Sequence, residues 1–236
     1  MDRDQGAIGD TKVDKAKLKR TIALRLVFAL LILGLMFFWP AGTFRYWQAW
    51  TYIVIMFAFM LGAFAYFIRK DPELLERRMR AREKERRQII ITSLGTPVFL
   101  GIYLLPGFDR RYGWSSVPVI VVIAADILVL AGYALFVRVL KENSYASRIV
   151  EVEENQKVIT TGPYALVRHP MYVAVMIMFG LTPLALGSYW AVVPALSLIL
   201  VLVPRIKNEE KVLVDELAGY REYMQRVKFR LIPGIW

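Results

Sequence analysis

The apolar residues of this chain are gathered into long runs, and this feature restricts its possible folds most. A helix needs about 20 apolar residues to cross the roughly 30 Å hydrocarbon core of a bilayer. Six runs come near that length: residues 22–39, 48–68, 89–105, 117–140, 171–186 and 190–203. They predict an all-α, polytopic membrane helical bundle with about six transmembrane helices. Because the last two runs are short, five spans followed by a partly embedded hairpin is the alternative.

The positive charge lies mainly in the connections between these runs. Lys and Arg concentrate in four blocks, which cover residues 1–20, 69–88, 141–169 and 205–236. With six spans, all four blocks fall on one side of the membrane, and the positive-inside rule makes that side the cytoplasm. Topology and contact with anionic membrane lipids therefore account for the net charge of +11 without nucleic-acid binding.

Composition also restricts the chemistry that the chain can perform. The sequence contains no cysteine and only one histidine, His169. Disulfides and thiolate metal sites are excluded, and a zinc or non-haem iron centre is not expected. Since the first twenty residues are charged and no small-residue cleavage site follows the first apolar run, we expect no signal peptide. Difficult chemistry would have to come from an organic cofactor or from the substrate.

The chain divides into a polar cytoplasmic arm, an N-terminal transmembrane region and a C-terminal region that carries the candidate site: residues 1–20, 21–140 and 141–236. In the basic connection 69–88, Asp71 and Pro72 predict the start of a surface helix with i,i+4 charge pairs. Residues 141–168 predict an ordered loop. Residues 205–226 predict a cytoplasmic helix with one apolar face.

Asp126 lies within the fourth apolar run. An ionisable group at membrane depth is costly and commonly faces a polar cavity or a partner. Two interpretations stay open for Asp126, a functional residue and an ordinary hydrogen-bonding residue between helices.

The helical hairpin 170–204 crosses the membrane and returns, so its two ends must lie close together. This brings polar residues from two distant segments into one region: Arg168, His169 and Tyr172 with Arg205, Glu209 and Glu210. Arg205 and Glu209 are four residues apart and share one helix face. The alternative is an ordinary interfacial sequence, in which the arginine binds lipid phosphate and the glutamates are solvated in a helical turn.

The sequence GPYALVRHPMY, followed after the hairpin by EE and then by YREYMQRVKFRLIP, resembles the isoprenylcysteine carboxyl methyltransferase family. The resemblance covers approximately residues 130–236. It implies an integral-membrane enzyme, related to the phospholipid methyltransferases, that uses S-adenosyl-L-methionine and releases S-adenosyl-L-homocysteine. The implied acceptor is lipophilic, with the carboxylate of an isoprenylcysteine-like or prenylated substrate favoured. Phospholipid amines and small thiols are the alternatives.

The resemblance also implies roles for individual residues. The cofactor would be bound by Gln156, Lys157, Val158, Ile159, Tyr164, His169, Pro170, Met171, Tyr172 and Glu209. Arg205 matches the substrate-side arginine of the family, so Arg205 and Glu209 are the implied catalytic residues. A carboxylate acceptor needs no general base, whereas an amine or a thiol would have to pass a proton to Glu209 or Glu210.

Two other classes of protein compete with this interpretation. Membrane sterol reductases, which use NADPH, also carry an Arg-His-Pro-x-Tyr element. This chain has Met171 where that group typically has asparagine, and the adjacent Glu209 and Glu210 favour a methyltransferase. A non-catalytic membrane scaffold or a transporter is the third possibility.

Overall fold

The computed structural model describes residues 14–79, 86–146, 152 and 156–236. Over these residues the secondary structure is helical and contains no strand. The α-helices are α1 (Lys15–Ala41), α2 (Trp47–Lys70), α3 (Pro72–Met79), α4 (Arg86–Tyr112), α5 (Val119–Glu142), α6 (Pro170–Ala185), α7 (Val192–Glu216) and α8 (Tyr220–Arg226), with a 3₁₀ turn at Gly162–Ala165. The predicted all-α fold is confirmed for this part of the chain.

Each of the six apolar runs overlaps one helix: α1, α2, α4, α5, α6 or α7. Among the described helices, α1, α2 and α5 are both long and apolar enough to cross a membrane, and α6 is a shorter apolar helix. Two prolines, Pro97 and Pro106, lie inside α4. The structure therefore supports a membrane protein, while the total of six spans stays a prediction.

The six longer helices pack around one interior. α1 packs against α2 and α4, α4 against α7, α7 against α6, α6 against α5, and α5 against α2. The approach of α5 to α6 is close at Gly132, where a Cβ would lie only 2.8 Å from Cγ of Met178. Any larger side chain there would push these two helices apart. This packing brings the end of α5, the start of α6 and the end of α7 together.

Asp126 is buried on α5, with 5% of its surface exposed. Sixteen residues separate it from Glu142 at the end of that helix, which at 1.5 Å per residue is about 24 Å. Asp126 is therefore remote from the site that the ends of α5, α6 and α7 build.

The C-terminal helix differs from the prediction for residues 205–226. Instead of beginning at Arg205, α7 continues from the apolar hairpin through Pro204 and ends at Glu216. Gly219, with φ of +84°, then reverses the chain before α8 begins. The physical reason is burial: the reversal folds Tyr220 and Tyr223 back onto Leu217, and all three side chains are buried.

The helix predicted in the basic connection is α3, and its start is confirmed. Asp71 Oδ1 accepts a hydrogen bond of 2.9 Å from the backbone N–H of Leu74, as expected of a side chain that caps a helix. The predicted i,i+4 pairing is present between Glu73 and Arg77 at 3.5 Å. Residues 80–85 of this connection lie outside the described residues, as do residues 1–13 of the polar arm. Residues 15–20 of that arm form the first turns of α1 instead of a separate segment.

Candidate active site

The ends of α5, α6 and α7 enclose a cleft of about 910 Å³, counting the solvent-filled space at its mouth. The structure places all the predicted site residues along this cleft: Gln156, Lys157, Val158, Ile159, Tyr164, His169, Pro170, Met171, Tyr172, Arg205 and Glu209. Their shared location is a feature of the fold, and their individual roles stay predictions.

The loop that forms one wall of the cleft is fastened to the end of α5. Gly162 has φ of +57°, and a Cβ at this position would lie 2.7 Å from Oε2 of Glu142. Thr161 Oγ1 donates a hydrogen bond to Oε1 of the same glutamate. Further along the loop, the hydroxyl of Tyr164 accepts a 3.0 Å hydrogen bond from Asn143 Nδ2. Glycine is thus required where the loop closes on α5.

Glu210 holds three cationic or polar groups together beneath the cleft. Its Oε1 lies 2.8 Å from Arg168 Nε and 3.2 Å from His169 Nε2. Its Oε2 accepts a 2.8 Å hydrogen bond from Arg230 Nε. Because a carboxylate only accepts hydrogen bonds, this contact favours the tautomer with a proton on His169 Nε2.

The pKa of Glu210 reflects two opposed effects. This residue lies beyond the apolar part of α7, on its polar C-terminal turns. Burial alone raises its pKa, but the hydrogen bond from His169, the hydrogen bond from Arg230 and the charge of Arg168 outweigh burial and lower the pKa below 4.5. Glu210 is therefore ionised at neutral pH and compensates the buried arginine.

The C-terminal segment is joined to the same cluster through its backbone. The amide of Arg168 donates to the carbonyl of Phe229 at 2.9 Å, and the amide of His169 donates to that of Arg230 at 3.0 Å. These bonds fix the residues that precede α6. His169 and Pro170 consequently enter the helix in one defined orientation.

A hydrogen-bonded chain of three side chains runs along the cleft. Arg205 Nε donates to the hydroxyl of Tyr172 at 2.8 Å, and that hydroxyl donates to Glu209 Oε2 at 2.6 Å. As predicted, Arg205 and Glu209 share one face of α7. The side chain of Glu209 is 27% exposed, whereas that of Glu210 is only 6% exposed. The two adjacent glutamates thus differ in position: Glu209 faces the cleft and Glu210 supports its wall.

Several cleft residues escaped prediction from the sequence: Asn143, Tyr145, Ala146, Leu213, Leu217, Tyr220 and Tyr223. Three of them, Leu213, Leu217 and Tyr220, recur near helical spacing in residues 205–226 and belong to the apolar face of the helix predicted there. The reversal at Gly219 changes their surroundings, because it turns Tyr220 into the cleft. Its hydroxyl is buried and has no hydrogen-bond partner in the described part of the chain.

Residues 121–215 match the sequence profile of the isoprenylcysteine carboxyl methyltransferase (ICMT) family. This part of the chain is similar to the ICMT family. The matched segment extends from α5 through the cleft loop and α6 to the end of α7, so it contains Arg205 and both glutamates. The predicted resemblance is confirmed over the matched residues, and a match to this family indicates a membrane methyltransferase. No curated protein matches the chain at a significant level.

Proposed function

We propose that this chain is an integral-membrane methyltransferase that depends on S-adenosyl-L-methionine and acts on a lipophilic acceptor. The favoured acceptor group is a carboxylate of the isoprenylcysteine type. One observation supports this proposal above all, the hydrogen-bonded chain from Arg205 through Tyr172 to Glu209. It places a guanidinium and a carboxylate at opposite ends of one cleft-lining chain, which is suited to bind groups of opposite charge.

The cleft residues fit S-adenosyl-L-methionine. The buried hydroxyl of Tyr220 lacks a hydrogen-bond partner in the described residues, and an unsatisfied buried polar group costs about 1–3 kcal/mol. A polar ligand in the cleft would supply that partner. Glu209 would attract a cationic amino group or accept hydrogen bonds from ribose hydroxyls. The aromatic faces of Tyr164 and Tyr172 suit a cationic sulfonium. When bound, this cofactor supplies an electrophilic methyl group.

Arg205 would orient the acceptor. A guanidinium binds a carboxylate with two parallel N–H donors and fixes the direction of its oxygens. Tyr172 holds the Nε side of Arg205, and so sets the plane in which the guanidinium lies. A carboxylate is ionised at neutral pH, so this site has no need of a general base. Alignment of the two reactants is then the main contribution of the protein to the rate.

The membrane setting gives each reactant its own route. We place the cleft at the cytoplasmic side of a multi-pass protein, because the basic blocks lie at this end of the bundle. The membrane we propose for it is a prokaryotic inner membrane rather than the endoplasmic reticulum. A charged, water-soluble cofactor would arrive through the polar loops. A lipophilic acceptor would arrive sideways from the bilayer.

A methyl-transfer assay with labelled S-adenosyl-L-methionine tests this proposal. Purified protein would be supplied side by side with a prenylated cysteine analogue, a phosphatidylethanolamine and a small thiol. We expect label in the prenylated cysteine, as a base-labile methyl ester. Label only in the amine or only in the thiol would contradict the carboxylate acceptor, and transfer to none of these acceptors would count against the proposed activity.

A further inference from the structure

The end of the bundle that lies away from the cleft is formed by three connections between helices. They comprise residues 42–46, 113–118 and 186–191. The hydroxyl of Tyr46 donates a hydrogen bond to the carbonyl of Leu186. The carboxylate of Asp109, in the last turn of α4, accepts hydrogen bonds from the hydroxyls of Ser115 and Ser188. The three connections therefore meet at one end of the bundle and are joined to each other.

Large aromatic side chains are concentrated at this end and face outward. Eight of them have between 42% and 73% of their surface exposed: Trp39, Phe44, Trp47, Trp50, Tyr112, Trp114, Tyr189 and Trp190. Elsewhere in the described part of the chain, the exposed aromatic residues are Phe28 in the middle of α1 and Tyr66 near the cleft end of α2. Tryptophan and tyrosine collect where lipid headgroups meet the hydrocarbon core, because their rings are apolar and carry one polar N–H or O–H group.

The exposed charges at the same end are positive. Arg45, Arg110 and Arg111 are exposed. Arg110 donates a 3.3 Å hydrogen bond to the backbone carbonyl of Arg45, which leaves its charge in place. Asp109 is the acidic residue nearest to them in the sequence, and it is 1% exposed. A surface of guanidinium groups and aromatic rings is suited to phospholipid headgroups, because arginine binds phosphate through strong, charge-assisted hydrogen bonds.

The turn between α6 and α7 reaches the same level as the other two connections. α6 has 16 residues and is about 24 Å long, so its length alone does not show that the hairpin crosses the bilayer. However, the backbone N–H of Tyr189 donates a 3.1 Å hydrogen bond to Oγ of Ser115, in the connection that leads into α5. The turn of the hairpin is therefore fixed beside the start of a helix that is long enough to span a membrane.

The distance from this end to the cleft is set by α5. Its 24 residues give a length of about 36 Å, and the next residue, Asn143, lines the cleft. The hydrocarbon core of a bilayer is about 30 Å thick. With the aromatic end at one boundary of this core, the cleft opens just beyond the opposite boundary.

We propose that the eight exposed aromatic residues and the three arginines form a collar that binds the phospholipid headgroups of the leaflet opposite the cleft. The rings lie at the boundary with the hydrocarbon core, and the guanidinium groups contact lipid phosphates. The collar thereby sets the depth of the whole bundle, and it makes the α6–α7 hairpin a full crossing of the bilayer. This proposal is independent of the proposed methyltransferase activity.

Quenching of tryptophan fluorescence by brominated lipids tests the depth of the collar. Five of the six tryptophans belong to the collar, and the sixth is Trp236, so Trp236→Phe leaves a chain whose tryptophans report on the collar alone. This variant would be reconstituted into vesicles of phosphatidylglycerol and phosphatidylcholine that carry bromine either near the headgroup or near the end of the acyl chain. We expect the larger loss of fluorescence with bromine near the headgroup.

The same vesicles test the arginines when bromine is placed on one lipid at a time. At equal proportions of the two lipids, brominated phosphatidylglycerol should quench the collar tryptophans more strongly than brominated phosphatidylcholine, because an anionic headgroup is attracted to the arginines. Replacing Arg45, Arg110 and Arg111 by glutamine should abolish that preference. Arg69→Gln, an exposed arginine in the last turn of α2 at the cleft end, is the control and should retain it.

The full crossing of the hairpin has its own test, because the sequence contains no cysteine. Single-cysteine variants Ser116→Cys, Tyr189→Cys and Glu216→Cys would be treated with a membrane-impermeant maleimide on intact cells that express the chain. These three positions are exposed. We expect Ser116→Cys and Tyr189→Cys to be labelled directly, and Glu216→Cys, at the cleft end of α7, only after the membrane is permeabilised.

Three results would overturn the collar. The first is equal or stronger quenching by bromine at the end of the acyl chain, or quenching by neither position. The second is a preference for phosphatidylglycerol that is missing from the parent chain or unchanged in the glutamine variant. The third is labelling of Tyr189→Cys from the same side as Glu216→Cys. A collar that passes all three tests in a chain without methyl transfer would stand, and that outcome would count against the proposed function alone.

Discussion

Nε2 of His169 lies 3.2 Å from Oε1 of Glu210, and both side chains are buried. The two residues come from opposite ends of the α6–α7 hairpin. Arg168 and Arg230 contact the same carboxylate from the loop and from the C-terminal segment. One glutamate thus joins three separate parts of the chain, and the cleft wall depends on it.

Glu210→Ala is expected to destabilise the protein strongly. The substitution would leave the buried guanidinium of Arg168 without its carboxylate, and losing one partner of a buried ion pair costs about 3–5 kcal/mol. Thermal unfolding in detergent would measure this as a large fall in the unfolding temperature. Glu216→Ala, an exposed position in the last turn of α7, is the matched control. Equal stability of the two variants would contradict the supporting role of Glu210.

Acid should weaken the same cluster. Because the pKa of Glu210 in the folded protein lies below 4.5, its ionised form stabilises the fold above pH 4.5, and this contribution is lost as the pH falls through the lowered value. The unfolding temperature should therefore decrease below about pH 4.5. Glu210→Gln should show a smaller decrease over the same range. If the unfolding temperatures of the wild type and of Glu210→Gln fell in parallel as the pH decreased, the ionisation of Glu210 would not be the cause of the decrease.

Tyr172→Phe is expected to slow turnover while leaving cofactor binding nearly unchanged. The variant keeps the ring but removes the hydroxyl that links Arg205 to Glu209. Loss of this link should reduce kcat roughly tenfold, the effect of one or two hydrogen bonds. Labelled methyl transfer and titration with S-adenosyl-L-homocysteine would separate the two effects. Tyr189→Phe, an exposed tyrosine between α6 and α7, should behave as wild type; a normal kcat in Tyr172→Phe would show that the link is dispensable.

Gly162→Ala should weaken cofactor binding by displacing the cleft loop. The new Cβ would occupy space taken by Glu142 and would stand on a backbone with φ of +57°. Gly113→Ala is a close control, because Gly113 has φ of +67° and nothing within 4 Å of the added carbon. Both variants should lose about 1–2 kcal/mol of stability from the left-handed backbone, but only Gly162→Ala should bind S-adenosyl-L-homocysteine less tightly. If both variants bound S-adenosyl-L-homocysteine with equal affinity, the position of the loop would not matter for cofactor binding.

The parts of the site that could be predicted are those fixed by connectivity. A hairpin of two apolar helices must return its ends to the same side, so the approach of His169 to Glu210 followed from the positions of the apolar runs. The i,i+4 spacing likewise placed Arg205 and Glu209 on one face. The cleft-lining residues of the loop could be predicted from the resemblance to the family, because that motif is local in sequence.

The remaining features depend on tertiary contacts. The spacing of Leu217 and Tyr220 suits a continuous helix, so the reversal at Gly219 is set by burial and not by local pattern. Arg230 lies in an irregular segment whose periodicity carries no information about a partner. The position of Arg78 beside Met171 depends on how α3 packs against α1, α2 and α5, and no sequence motif predicts this contact.

Titration of the detergent-purified chain with S-adenosyl-L-homocysteine, and separately with NADPH, tests the central claim most directly. We predict saturable binding of S-adenosyl-L-homocysteine, weaker binding by His169→Ala and Glu209→Gln, and near-normal binding with impaired turnover by Arg205→Ala. Saturable binding of NADPH alone, or an affinity for S-adenosyl-L-homocysteine that neither His169→Ala nor Glu209→Gln alters, would contradict the assignment of this cleft.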